Sequence, residues 1–493
     1  MMHGHGKSDR PIVPTKPPNE AEPEAKEAVE GRGLAKGRTP ERNMFRTQSR
    51  MSMSSALERI RQAARRDRGQ RFTALLHHVD DVEGLRRAYF GLKREAAPGI
   101  DGATWRQYQE GLERNLLALS EQIKRGAYRA QPVRRAYIAK AGEPQKLRAL
   151  GVLVLEDKIV QRATAEVLGA LYEQDFVRFS YGFRPARSPH QALDALSVGI
   201  TQRKVNWVLD ADIRGFFDTL DHGWLVKFIE HRVADRRVVR LIQKWLKVGV
   251  LEEGKHIESE MGTVQGGSIS PLLANLYLHY VFDLWVKQWR KLKAQGDVIV
   301  VRFGDDFVVG FEHREDGERF LSELVERLKR FGLELHAQKT RLIEFGRHAE
   351  EDRQSRGEGK PETFNFLGFT HSCAKTRKGR FVVLRQTMRK RWQSKLKEVK
   401  AELRRRMHTP VPAMGQYVRS VILGYMRYYA VPMNAVSVSD FRMAVGRLWW
   451  RVLKRRSQKA RVSRAQMERR MARWVPQTHV CHPYPWQRFG VIT

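Results

Sequence analysis

Apolar positions along this chain follow two periods. From about residue 56, "ALERIRQAARRDRGQRFTALLHHV" repeats them at helical spacing and predicts a helix. "VNWVLDADI" (205–213) is rich in β-formers, ends in acids, and predicts a strand. "SISPLLANLYLHYVFDLWVKQW" (268–289) predicts a helix, with Ser270 as its cap and Pro271 at the first helical position, where a missing N–H costs nothing. "DVIVVRF" and "FVVGF" flank a glycine turn and predict a hairpin. "DGERFLSELVERLKRFG" predicts an amphipathic helix, with Phe320, Leu321, Leu324 and Leu328 on one face. "LELHAQKTRLIEF" (333–345) returns to strand, and "FNFLGF" (364–369) predicts a short apolar strand followed by a turn. Residues 1 to about 55, rich in Pro, Gly, Glu, Arg and Ser, predict a mostly disordered extension, in which "HGHG" reads as flexible tail. No apolar run approaches the ~20 residues of a membrane span. The first residues lack the apolar core of a signal peptide, so a cytoplasmic protein is expected.

Charge narrows the picture. Lys and Arg total 91 against 55 Asp and Glu, a formal +36 over 493 residues. Such a surplus points to a polyanionic partner, with nucleic acid first. It is concentrated late in the chain: residues 381–480 hold 24 Lys/Arg and 4 Asp/Glu. Aromatics interleave there, in "YMRYY" and "LWWRVLKRRSQKARVSR", as suits a helical domain lying on a nucleic-acid backbone. Tyr425, Tyr428, Tyr429, Trp449 and Trp450 read first as helix core. Two distant cysteines, Cys373 and Cys481, exclude a disulfide framework and a cysteine-cluster zinc site.

The chemistry gathers in "RFGDDFVVGF". Asp305 and Asp306 stand side by side in a turn between apolar strands. Ionised carboxylates taken from water cost several kcal/mol each unless compensated. Magnesium compensates them well, since it prefers carboxylate oxygen. A third acid, Asp212, ends the strand of "LDADIRGFFD", where an antiparallel partner would bring it beside the turn. Three acids from neighbouring strands suit a pair of metals ~3.5–4 Å apart, able to activate a hydroxyl and stabilise a leaving pyrophosphate.

The motifs occur in a telling order. Asp212–Asp221, "TVQGGSISPLLANLYL", "RFGDDFVVGF", "LHAQKTRLIEFGR" and "FNFLGFTH" resemble the successive blocks of reverse transcriptases, most closely those of group II intron reverse transcriptase/maturases. Upstream, "AAPGIDGATW", "YIAKAGEPQKLRALGV", "EDKIVQRA" and "SYGFRPARSPHQAL" resemble the fingers blocks of that family, and downstream "VRSVILGYMRYYAVP" resembles its maturase domain. The resemblance covers about 60 to 490 and implies an α+β right-hand polymerase: an extension (1–55), fingers (56–200), a palm with an antiparallel sheet (201–372) and a helical thumb/maturase domain (373–493). It implies Asp212 and Asp305 as ligands of two Mg²⁺ ions, with Asp306 and the Ile213 carbonyl in support. Lys146 and Arg148 would bind the triphosphate, Gln265 and Gly266 would line the nucleotide pocket, and Lys339 would meet the pyrophosphate. Phe366, Leu367 and Gly368 would grip the primer, and Arg427, Arg451, Lys454, Arg455 and Arg456 are candidates for RNA contact. Gly304 and Ala149 depart from the usual Ala and Pro of the family. The last hundred residues hold one cysteine, Cys481, so the HNH endonuclease of many members, and cutting of a second DNA strand, are not expected.

The product is read at Phe217, five residues past Asp212. RNA replicases usually place an Asp there to hold the ribose 2′-hydroxyl. An aromatic ring cannot accept that bond, and a clash or unpaired hydroxyl of ~1–3 kcal/mol gives about 10- to 100-fold preference for dNTPs. The expected activity is RNA-directed DNA synthesis on an RNA template, from a DNA primer and dNTPs, by a protein that also binds intron RNA to aid splicing. The alternative is a free-standing, domesticated reverse transcriptase of DNA repair or phage defence. A non-catalytic splicing factor and an RNA replicase fit the acids and Phe217 less well.

Overall fold

The computed structural model describes residues 55–140, 143–252, 255–257, 261–263, 266–457 and 462–489. The expected disordered extension and Gln265 thus lie outside the described residues, residue 55 apart. Among these described residues, eleven strands form three sheets among helices. β1 (Val133–Lys140) and β2 (Glu143–Val152) make an antiparallel hairpin. β3 (Trp207–Ala211) belongs to the central sheet, while β4 (Val250–Glu252) and β5 (Lys255–Ile257) extend the first, in the order β2-β1-β4-β5. β6 (Val298–Phe303), β7 (Asp306–Phe311) and β8 (Arg341–Glu344) complete the central sheet, ordered β6-β7-β3-β8 and antiparallel throughout. β9 (Phe364–Phe366), β10 (Phe369–Lys375) and β11 (Phe381–Thr387) form the third sheet.

The continuous apolar runs of β6 and β7 have a direct cause. Successive side chains of a strand point to opposite faces, and here both faces are covered. Val298, Val300, Phe307, Val309 and Phe311 join a large core that includes Leu273, Leu276 and Phe282. Ile299, Val301 and Val308 join a second core with Leu193, Leu196, Phe364 and Phe369. A third core gathers Val399, Leu403, Val418, Ile422, Phe441, Val445 and Trp449 from the helices Arg389–Arg405, Val411–Tyr429 and Ala435–Lys454. Among the described residues no helix is long and apolar enough to cross a membrane.

Two expectations need correction. Ser270 is the first helical residue and is buried; Ile269 holds the cap position without a side-chain bond. That helix, Ser270–Leu278, passes into a π-helical turn, His279–Asp283, before resuming as Leu284–Leu292. Of 333–345 only Arg341–Glu344 is strand; Leu335 makes an isolated bridge to Ile213, and Lys339 lies in a turn. In the amphipathic helix Arg314–Lys329, Phe320, Leu324 and Leu328 are buried, whereas Leu321 is partly buried.

The C-terminal segment returns to the central body. Phe489 packs in the second core. Asp194, on the helix Pro189–Gln202, accepts from Arg385 of β11 at 2.6 Å and from Arg488 at 2.7 Å. His482 stacks on His190 with ring centroids 3.7 Å apart. Arg385 is fully buried, and among the described residues Asp194 is the acid that compensates it. Asp194→Ala strands that charge and is expected to lower stability by about 3–5 kcal/mol, read as a fall in the urea midpoint and faster proteolysis of the last turns.

Candidate active site

The sheet register builds the site. Antiparallel pairing sets Asp210 opposite Val308 and Ala211 opposite Phe307; Asp212 follows the last paired residue, near enough for its charge to act on Asp306. On the other side of β7, Phe303 pairs with Asp306, leaving Gly304 and Asp305 as a two-residue turn. Gly304 has φ 68° and Asp305 is not among the residues of positive φ, the pattern of a type II′ hairpin, which wants glycine first. The Asp212 carbonyl accepts from His336 N–H at 2.7 Å, tying the strand end to the segment before Lys339. Lys339 reaches back and pairs with the Asp212 carboxylate.

The acids feel one another. Protein crowded around Asp306 strips hydration from its carboxyl although the residue keeps an open side, and the charges of Asp305, Asp212 and Asp210 add to the effect. Together they push it up to about 7 against the pull of Lys339. Asp210 is also raised, to about 6, by burial first, with Arg341 and the Asn365 N–H opposing and Asp212 adding to the rise. Among the described residues no three His, Cys, Asp or Glu side chains converge closely enough to enclose a metal ion. The donor set nonetheless fits a hard cation: all are carboxylates, they repel, and Lys339 supplies the positive charge that Asp212 lacks otherwise. Ile213 has a buried side chain and is held by its bridge to Leu335.

Beneath the turn lies a group that the sequence pattern did not single out. Arg302 is fully buried, as is Asp283 of the π-helical turn. Arg302 Nε and Nη2 donate to the two Asp283 oxygens at 2.7 and 2.6 Å. Nη1 donates to Asn275 Oδ1 at 3.1 Å and to the Gly304 carbonyl at 2.8 Å. Nη2 also donates to Ser180 Oγ at 2.8 Å. All five guanidinium donors are therefore used. Asn275 in turn donates to the Gly182 carbonyl at 2.7 Å. The one signal in sequence was an Arg interrupting an apolar strand two residues before the turn.

One cavity lies around Phe217 and another reaches Asp306. Phe217, half-buried, lines one of 270 Å³ with Ala149, Gly151, Gly262 and Thr263. Gly266 has φ 116°, and a Cβ there would lie 2.6 Å from the Gly151 carbonyl. Its close approach in this structure is to the backbone of β2. β2 also carries the backbone of Lys146 and Arg148, whose side chains lie outside the described residues. The other cavity, of 500 Å³, joins Asp306 to Phe366, Leu367, Gly368, Arg391, Tyr428 and Tyr429. Leu367 (φ 48°) and Gly368 (φ 82°) form the turn between β9 and β10, both left-handed as a type I′ turn requires. Tyr428 Oη donates to the Leu367 carbonyl at 2.9 Å. Tyr425 alone of the three tyrosines is core, stacked on Phe441; Tyr428 and Tyr429 are half-buried and face this cavity. Trp449 is buried as expected, while Trp450 is partly exposed under Lys454. Arg427, Arg451, Lys454 and Arg455 are exposed. Arg456 is not a free contact: it turns inward and donates to the Met407 carbonyl at 2.6 Å and to the Thr409 carbonyl.

Residues 138–371, which hold the acids, Phe217, Arg302 and the Leu367–Gly368 turn, match the family described as reverse transcriptase (RNA-dependent DNA polymerase). That match takes in 234 of the 493 residues, just under half of the chain. Over 231 residues it is 34% identical to Protein YkfC of Escherichia coli (strain K12), covering 46% of this chain and 60% of that one. Over 223 residues it is 35% identical to the group II intron-encoded protein LtrA of Lactococcus lactis subsp. cremoris, covering 45% of this chain and 37% of that one. A weaker match, 25% over 113 residues, joins it to nuclear intron maturase 1, mitochondrial, of Arabidopsis thaliana, across 23% of this chain and 16% of that one. The matches thus span less than two thirds of these relatives' own lengths, and they bear out the resemblance to the group II intron family.

Arg302→Lys keeps the charge but not the planar fork, so the turn loses its seat. A shift of ~1 Å at the reacting atoms costs on the order of 100-fold in rate. Steady-state primer extension by this variant is expected to show a lowered kcat with dNTP KM little changed; a wild-type kcat would show that the turn holds without the fork.

Proposed function

We propose that this protein is an RNA-directed DNA polymerase of the group II intron kind, which extends a DNA primer on an RNA template and binds intron RNA to aid splicing and mobility. The observation that carries the reading is the pairing of β3 with β7, which brings the charge of Asp212 to bear on Asp306 beside the Gly304–Asp305 turn, inside the stretch that matches reverse transcriptases. In this reading the residues 56–200 are fingers, 201–372 palm and 373–493 thumb, a division supported by the central sheet and the separate core of the late helices.

Asp212 and Asp305 would hold two Mg²⁺ ions, with Asp306 and the Ile213 carbonyl in support. When bound, such ions lower the pKa of a 3′-hydroxyl and neutralise charge on a departing pyrophosphate. The remaining work falls to the chain. Phe217 closes the sugar side of its cavity and excludes a 2′-hydroxyl. The Leu367–Gly368 turn, backed by Tyr428, holds the primer end near Asp306, and Arg391 on the same cavity offers a fork to its phosphate. Lys339, released from Asp212 when a cation takes that carboxylate, neutralises the pyrophosphate. Lys146 and Arg148 on β2 bind the triphosphate. The exposed Arg427, Arg451, Lys454 and Arg455 meet RNA phosphates.

Extension of a DNA primer on an RNA template with Mg²⁺ is expected with dNTPs and to vanish in Asp305→Ala; extension with NTPs alone would overturn the DNA product. Phe217→Ala is expected to raise NTP incorporation relative to dNTP by about 10- to 100-fold. RNA affinity is expected to fall linearly on a log–log salt axis, by about 0.7–0.9 per phosphate contacted. Filter binding between about 0.05 and 0.5 M salt measures that slope, and a flat line would exclude a phosphate-led interface.

A further inference from the structure

A separate cavity of 610 Å³ opens on the flank of the central sheet. Val298–Val301 of β6 form its floor; its walls come from the segment 173–187, the helix Leu284–Leu292 and Arg203. It shares no lining residue with the cavities of Phe217 and Asp306. Eight Lys or Arg residues line it, against three acids.

Each acid is already engaged. Glu173 receives Arg184 through Nε at 3.1 Å and Nη2 at 3.0 Å. Asp175 pairs with the buried Arg232 at 3.3 Å, and Asp297 stands 4.0 Å from Arg203. No wall carboxylate is left for Arg178 or Lys287, which are exposed and come from two different elements. Arg187, lying over the Tyr181 ring, is held below its ordinary pKa by burial and then by the charges of Arg184 and Arg178. Like charges gathered around a concavity repel, and an anion seated among them relieves that repulsion.

We propose that this cavity binds the phosphate backbone of an RNA strand distinct from the template in the catalytic cleft. Arginine forks suit phosphate oxygens, and the walls set cations on two sides of a groove rather than around a single ion. The assignment of the ligand to RNA rests on the polymerase reading above; the phosphate chemistry rests on the cavity alone. The wall is also joined to the catalytic turn. Tyr181 N–H donates to the Arg302 carbonyl at 2.8 Å, and Arg302 N–H donates to the Phe179 carbonyl at 2.9 Å. A strand held here would lie against the segment that seats Gly304.

The test loads the full chain with a short RNA–DNA primer–template duplex and titrates a labelled single-stranded RNA oligonucleotide of mixed sequence into that complex. The oligonucleotide is expected to bind the loaded protein. The double variant Arg178→Glu/Lys287→Glu is expected to lose at least about tenfold in that affinity and about one unit of salt slope per residue removed, with primer extension on the short duplex unchanged. The neutral pair Arg178→Gln/Lys287→Gln should give an intermediate loss, and it decides the matter if charge reversal impairs folding. Exclusion of the oligonucleotide by the duplex, or equal affinity in wild type and both variants, would overturn the proposal. Absence of extension in the wild type with second-strand binding intact would instead fault the polymerase reading and leave the phosphate site standing.

Discussion

The buried pair of Arg302 and Asp283 is the constraint on which the Gly304–Asp305 turn depends. Two ions taken from water carry a penalty of several kcal/mol each, repaid only when geometry is good and every remaining donor is satisfied. Here the fork meets both carboxylate oxygens and its other donors find Asn275, Ser180 and the Gly304 carbonyl. Charge thus does structural work that an apolar pair could not, because only a donor fixes the carbonyl of the turn. Asp283 reaches this place from a π-helical turn, where one added residue per turn re-aims the side chains of an otherwise regular helix. The acids above are crowded by their own repulsion, and the seat beneath them holds them there.

The sheet explains how two separate stretches of sequence meet. Side chains of β6 and β7 alternate between two cores, so slipping either strand by one residue would turn every apolar side chain to the wrong core. That fixes the register with β3, and the register brings the end of β3, with Asp212 just beyond it, up to Asp306. Hydrophobic packing thereby places the charged groups, without any need for the charges to find one another.

Much of this was legible in the chain. The hairpin, the strand ending in acids and the late basic helices followed from period, turn chemistry and charge. The parts that were not legible depend on contacts distant in sequence. Arg302 meets Ser180 across 122 positions, which no local pattern records. Ser270 looked like a cap because its type and its proline neighbour fit, yet the helix started on it and buried it. Tyr428 and Tyr429 lay at core spacing, but the turn of Leu367 and Gly368 came up against them and left their faces toward Asp306. Arg456 shared the composition of its exposed neighbours and was drawn inward by carbonyls left open near Met407 and Thr409.

The return of the last residues to Asp194 has a mechanical consequence. The late helical body is joined to the central body through β11 at one end and through Arg488 and Phe489 at the other. Because Arg385 and Arg488 grip the two oxygens of one carboxylate, both ends of the late body converge on a single anchor, Asp194. The helix that carries this anchor also holds the Tyr428 carbonyl through His190 at 2.8 Å, so the wall of the cavity at Asp306 is steadied from the same place.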